Sequence, residues 1–230
     1  MSASASPHAV AWFRAPARPA LEATGGGGAV RFRRVAGAVC LPLLFIDVII
    51  GTLLVPLEDS ASAAQTLAFA AASPVAMTIL AWMELIGAAL YIAGLLTVVG
   101  AIRGRGAWPA TVLGVLGVPF GLGMAVLSVG HFAALGLVSS GISRGDAAAA
   151  LDAFHAVAGP LPILFMLTPL VYLFLALAAW RGGLVPPAAL GLGILFAAMT
   201  AVPGPQWLQM AAYAVGLVLT AWTAWALAAG

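Results

Sequence analysis

Residues 74–101, PVAMTILAWMELIGAALYIAGLLTVVGA, decide the fold. An apolar run of this length, opened by a proline and holding one charged residue, is a helix long enough to cross a bilayer. Only ~20 residues are needed to span about 30 Å of hydrocarbon at roughly 1.5 Å per residue. The exception is Glu84, ten residues past Pro74. An ionisable group inside a membrane is costly, so its presence is a statement about function.

The same pattern extends outward from this stretch. Six spans are expected, at about 35–57, 74–101, 108–138, 160–180, 184–203 and 206–228, giving an all-α, polytopic six-helix transmembrane bundle. The third is long enough to tilt or protrude. The fifth is the shortest, bounded by Pro186-Pro187 and Pro203-Gly204-Pro205. Residues 1–34 are rich in Ala, Ser, Pro and Gly and read as a flexible cytoplasmic tail, so the domain plan is tail 1–34 and membrane domain 35–230. Between spans, residues 58–72 and 143–157 read as short interfacial helices, the second opening on Ser143-x-x-Asp146.

Composition agrees. Of 230 residues, 63% are hydrophobic and 7% charged, against roughly 25% charged in soluble domains. All nine basic residues are Arg. Without Lys, retinal Schiff bases, pyridoxal enzymes and Walker-type phosphate loops are excluded. The lone Cys40 excludes disulfides within the chain, CxxC redox centres and cysteine-based zinc sites. So few charges cannot coat a nucleic-acid-binding face. The expected partners are the lipid bilayer and a small hydrophobic ligand, with no cofactor and no metal; the residues specify no oligomeric state.

The arginines orient the bundle. Arg14, Arg18, Arg31, Arg33 and Arg34 precede the first span, Arg103 and Arg105 follow the second, and Arg181 follows the fourth; Arg144 alone falls on the other side. By the positive-inside rule both termini are cytoplasmic. Glu58, Asp59, Asp146 and Asp152 fall on the opposite face.

Two carboxyls remain inside the membrane, Asp47 near the centre of the first span and Glu84 in the outer half of the second. Each would cost about 2.5–3.5 kcal/mol if ionised at a helix centre. With no Lys and no mid-membrane Arg to pair with them, at least one is expected to be neutral and hydrogen-bonded to a neighbour. The plain alternative is that each carboxyl only ties two helices together. Ser or Thr would do that at lower cost, which favours function.

Helical spacing gives the acids company. Glu84, Ala88 and Tyr91 share a face beside Gly87; Gly117, Gly121, Met124, Ser128 and His131 form a stripe on the third span. Thr168 and Tyr172 face together on the fourth, where Pro169 suggests a kink, and Gln206, Gln209, Tyr213, Thr220 and Thr223 line the sixth. The expectation is an outer-half cavity containing Glu84 and Asp47, with Asp47 at its floor. Trp82, Tyr91, His131, Thr168, Tyr172, Gln209 and Tyr213 would be its ligand-binding lining, with Phe165 beside them. Glu84 and Asp47 are the catalytic candidates if the protein is an enzyme. A metal site from His131, Asp152 and His155 would need the loop to fold back; interfacial histidines bonded to backbone or water are the commoner case.

Two resemblances follow from these residues. Arg34-Val-Ala-Gly37, the block Glu84-Leu-Ile-Gly-Ala-Ala-Leu-Tyr91 and Arg181-Gly-Gly-Leu-Val-Pro186 resemble a broad family of six-span bacterial membrane proteins classed as a domain of unknown function. That resemblance implies six spans and the bacterial cytoplasmic membrane, and no activity. Trp82-Met83-Glu84 also resembles the Trp-Glu pair of integral-membrane terpene cyclases, which protonate an epoxide or olefin. Here one residue separates the pair and no acid follows Asp152, so Asp47 would have to be the second carboxyl. The functional expectations are therefore three: binding or moving a small hydrophobic or amphipathic molecule, acid catalysis through Glu84, or a structural subunit.

Overall fold

The structure is a computed structural model that describes residues 28–55, 62–158, 166–201 and 204–229. Most of the tail, Glu58, Asp59 and Phe165 lie outside the described residues. Eight α-helices make up the described chain: α1 (Gly28–Leu54), α2 (Ala63–Ala72), α3 (Pro74–Ala101), α4 (Ala107–Ser139), α5 (Arg144–Val157), α6 (Thr168–Arg181), α7 (Ala188–Thr200) and α8 (Gln206–Ala228). A 3-10 turn, Gly104–Gly106, joins α3 to α4.

Four stretches are long and apolar enough to cross a membrane: Arg34–Leu54, Pro74–Ala101, Gly104–Ser139 and Gln206–Ala228. Within the other two expected spans the described helices are shorter. Helix α6 has 14 residues and α7 has 13, each reaching about 20 Å at roughly 1.5 Å per residue. The reason is local. Pro169 lies in the first turn of α6, where its missing N–H costs no helical bond, so it opens the helix instead of kinking it. Pro187 precedes α7 in the same way. Between them the chain reverses tightly, with Gly183 at φ 75° and the amide of Leu184 donating to the Ala179 carbonyl at 2.9 Å.

The long helices pack through small residues. Along α1 and α3, a β-carbon at Gly37 would land on the Thr97 side chain, and one at Gly94 would lie 2.9 Å from the Leu41 amide. A β-carbon at Gly51 would sit 3.0 Å from Leu80. As numbers rise on α1 they fall on α3, so the two are antiparallel neighbours. The α4 stripe packs on α3 likewise, with Gly117 against Leu95 and Tyr91, and Gly121 against Ile92 and Tyr91. Without side chains in the way, helix backbones approach closely and gain dispersion contact, the main attraction available between helices in lipid.

At one end of the bundle α2 and α5 form a cap. The second starts as the sequence suggests, the Ser143 hydroxyl accepting from the Asp146 amide, and at the start of the first Ser62 and Gln65 make a reciprocal capping box. They do not lie alone on an interface. Leu67, Ala70, Ala147 and Leu151 bury a second small core with Met77 of α3 and Ala134 of α4. Helix α4, at 33 residues, is about 50 Å long, and its surplus length holds this cap.

Candidate functional site

Asp47, Glu84 and His131 come from three different helices and meet in one layer below the cap. Glu84 is ten residues into α3, counted from Pro74, and His131 is eight residues before the end of α4 at Ser139. The two helices are antiparallel, so these offsets bring the side chains level. His131 Nδ1 lies 2.7 Å from Glu84 Oε2, and each side chain is 21% exposed. With the carboxylate ionised, the imidazole N–H donates a charge-assisted hydrogen bond. It is the one ion-pair contact among the described residues. Glu84 therefore has a hydrogen-bonded neighbour, as expected of at least one of the two acids, although no Lys or mid-membrane Arg is at hand. That neighbour is His131, one of the residues expected to line the cavity with Glu84.

Asp47 reaches the same layer from α1. It lies seven residues before Leu54, and its carboxyl rests on Gly87, where any β-carbon would land on Oδ2. Gly87 follows Glu84 by three residues on α3, so the acids are about one helical turn apart. Asp47 is thus the neighbour of Glu84, slightly deeper, and not a separate floor. Above the layer, the cap comes close: a β-carbon at Gly130 would lie 3.3 Å from Phe154 and 3.7 Å from His155 Nε2.

The remaining expected lining residues divide. Trp82 is 52% exposed and packs edge-on against Phe132, ring centroids 5.2 Å apart. It faces outward next to the site and does not line an interior wall. Tyr91 is buried beside Phe120, and its hydroxyl has no hydrogen-bond partner among the described residues. Tyr172 is buried on the far side of α1, its ring 5.1 Å from Phe45 and 4.6 Å from Phe196. Tyr213 is half-buried near the same cluster, 6.5 Å from Phe45. Thr168 and Gln209 are half-buried in the first turns of α6 and α8. Thr220 and Thr223 are buried and donate to carbonyls of their own helix. Tyr91 and Tyr172, expected to line an outer-half cavity, thus belong to the packed interior.

What the trio can do follows from its charges. One imidazolium balances one carboxylate; the second carboxyl then needs a proton, a cation or donors from a ligand. No three His, Cys, Asp or Glu side chains among the described residues are grouped to hold a metal ion, and His131, Asp152 and His155 are not brought together as one. The missed feature was the Glu84–His131 bond. Its signal was available in the matching distances of the two residues from helix ends on the same side. No family model, no curated protein and no solved structure matches the chain, so the roles of these residues rest on their geometry.

Proposed function

We propose that this chain is a six-span integral membrane protein with both termini in the cytoplasm, which binds and moves a small amphipathic molecule at the Asp47–Glu84–His131 layer. The six-span reading is supported by the ends of the bundle. Arg34 opens the first long stretch, Arg103 and Arg105 sit at the turn after α3, and Arg181 ends α6, whose Gly182 touches that turn. Arg144 starts the cap helix at the other end. The bias suits a cytoplasmic Arg-rich face. Replacing Cys40 by Ala and adding single cysteines tests it: Ser140→Cys and Pro205→Cys should react with an impermeant maleimide on intact cells, and Ala107→Cys only after lysis. The reverse labelling would sink the orientation.

The observation that carries the functional reading is the Glu84–His131 bond with Asp47 one turn away. Two carboxyls and one imidazole can trade a proton for the positive or hydrogen-bond-donating head of a ligand. The exposed Trp82, packed on half-buried Phe132 beside them, offers a surface to its apolar part. In proteoliposomes carrying a pH-sensitive dye, lipophilic amines should drive proton flux that Glu84→Gln abolishes. Flux unchanged by both Glu84→Gln and Asp47→Asn would overturn the reading.

Acid catalysis on a polyprenyl-type substrate, as the terpene-cyclase resemblance implies, is favoured by one observation: Asp47 adjoins Glu84. Weighing against it, imidazole is a stronger base than carboxylate and competes for the proton that Glu84 would donate. Cyclised product from an epoxidised polyprenyl substrate, lost on Glu84→Gln, would make this the better reading.

A further inference from the structure

The opposite end of the bundle holds a second arrangement that the carboxyl layer does not use. The segment Arg103-Gly104-Arg105-Gly106 turns tightly, with Gly104 at φ 63°, a conformation side chains rarely adopt. Gly106 then packs directly on the end of α6. A β-carbon there would lie 2.6 Å from the Gly182 amide nitrogen and 2.8 Å from the Ala178 carbonyl oxygen. Arg105 and Arg181 each immediately precede one of the two touching glycines. Chain segments far apart in sequence are thereby locked together, and Arg103, Arg105 and Arg181, all exposed, flank the contact.

None of the three has an acidic partner among the described residues. Arg103 spends one N–H on the Ile102 carbonyl at 3.3 Å, leaving most of its five donors unused. Next to the turn, Trp108 is 66% exposed and stacks edge-on against Phe174 of α6 with centroids 6.0 Å apart. Guanidinium groups forked toward phosphate, with an aromatic pair at the level where headgroup meets acyl chain, are the chemistry of a bound phospholipid.

We infer that the Arg103–Arg105–Arg181 patch and the adjoining Trp108–Phe174 pair form a binding site for an anionic phospholipid. The phosphate is held by the three arginines and an acyl chain lies along Trp108. This goes beyond general attraction of basic residues to a membrane, because the glycine-to-glycine contact sets the spacing of the arginines. Arg31 and Arg34 at the start of α1 supply the internal control: they are basic and share the Arg-rich end, but lie on a single helix.

The test uses the full-length protein in detergent, titrated with phosphatidylglycerol carrying brominated acyl chains or with the phosphatidylcholine equivalent. Bromine quenches nearby indoles, and the part of the quenching lost in Trp108→Phe reports this site. The site predicts half-quenching at roughly tenfold lower phosphatidylglycerol than phosphatidylcholine. Arg105→Gln/Arg181→Gln should erase that preference, whereas Arg31→Gln/Arg34→Gln should keep it. Equal quenching by both lipids, equal loss in both double variants, or displacement by millimolar inorganic phosphate would overturn the inference. Should the first double variant fail to fold, the lipid preference of the unaltered protein and its loss in Trp108→Phe decide alone.

Discussion

Phe45 and Asp47 are two residues apart on α1 and live in different chemistries. Two residues turn a helix by about 200°, so they point to opposite sides. Toward α6, α7 and α8, Phe45 is buried among Tyr172, Phe196 and Tyr213, and Gly216 makes room for its ring. Toward α3, Asp47 is half-buried over Gly87 beside Glu84 and His131. One face is closed by shape; the other is held by charges that can change. The difference teaches where stability and function are separated in this molecule: a rigid aromatic core backs a protonatable layer along one helix.

Substitutions on the two faces should therefore behave differently. Phe45→Ala removes the ring that joins three helices and should cost about 3–5 kcal/mol in reversible unfolding. A cost under about 1 kcal/mol would mean that the cluster does not organise the bundle. Gly216→Ala drives a methyl into the same ring, which has no room to move, and should cost about 1–3 kcal/mol by thermal denaturation in detergent.

On the polar face, a double-mutant cycle of Glu84→Gln and His131→Gln should give a coupling of about 1–2 kcal/mol. That is less than for a sealed pair, since each side chain is 21% exposed and partly screened. Zero coupling would remove the ion pair from the account. Tyr91→Phe, next in size, deletes a buried hydroxyl that finds no partner and should raise stability by up to about 1 kcal/mol; a loss would reveal a bond made by that hydroxyl. Smallest is Gly87→Ala. Its methyl would land on the Asp47 carboxyl, but Cγ at 3.1 Å and Cβ at 3.7 Å leave that side chain a rotation away from it, so stability should change by less than about 1 kcal/mol. Its mark should appear in ligand-driven proton flux, which distinguishes it from Gly216→Ala on the aromatic face.

Much of this was legible in the chain. The long helices at 34–54, 74–101, 104–139 and 206–228 follow from apolar runs, and the start of α5 from Ser143-x-x-Asp146. The Gly117–Gly121 stripe is seen packed on α3, as small-residue spacing suggests. Less legible were the bounds of α6 and α7, because apolar composition gives no boundary at Thr168 or at Ala188, where the described helices begin. Pro169 reads equally as a kink or a start until the helix boundary is seen. Trp82 shares the neighbourhood of Glu84 in sequence yet faces away, since two positions along a helix are nearly opposite.

By itself the sequence determined that the chain is all helical where described, apolar enough for a bilayer, and carries two carboxyls in regions where charge is expensive. Helix periodicity and hydrocarbon thickness are local constraints that a run of residues satisfies alone. Only the tertiary structure decided that Glu84 bonds to His131, that Asp47 rests on Gly87, and that Gly106 touches Gly182, the glycines that follow Arg105 and Arg181. Those pairings depend on the register between antiparallel helices. That register is set by which small residues let the backbones touch, and no single stretch of sequence contains it.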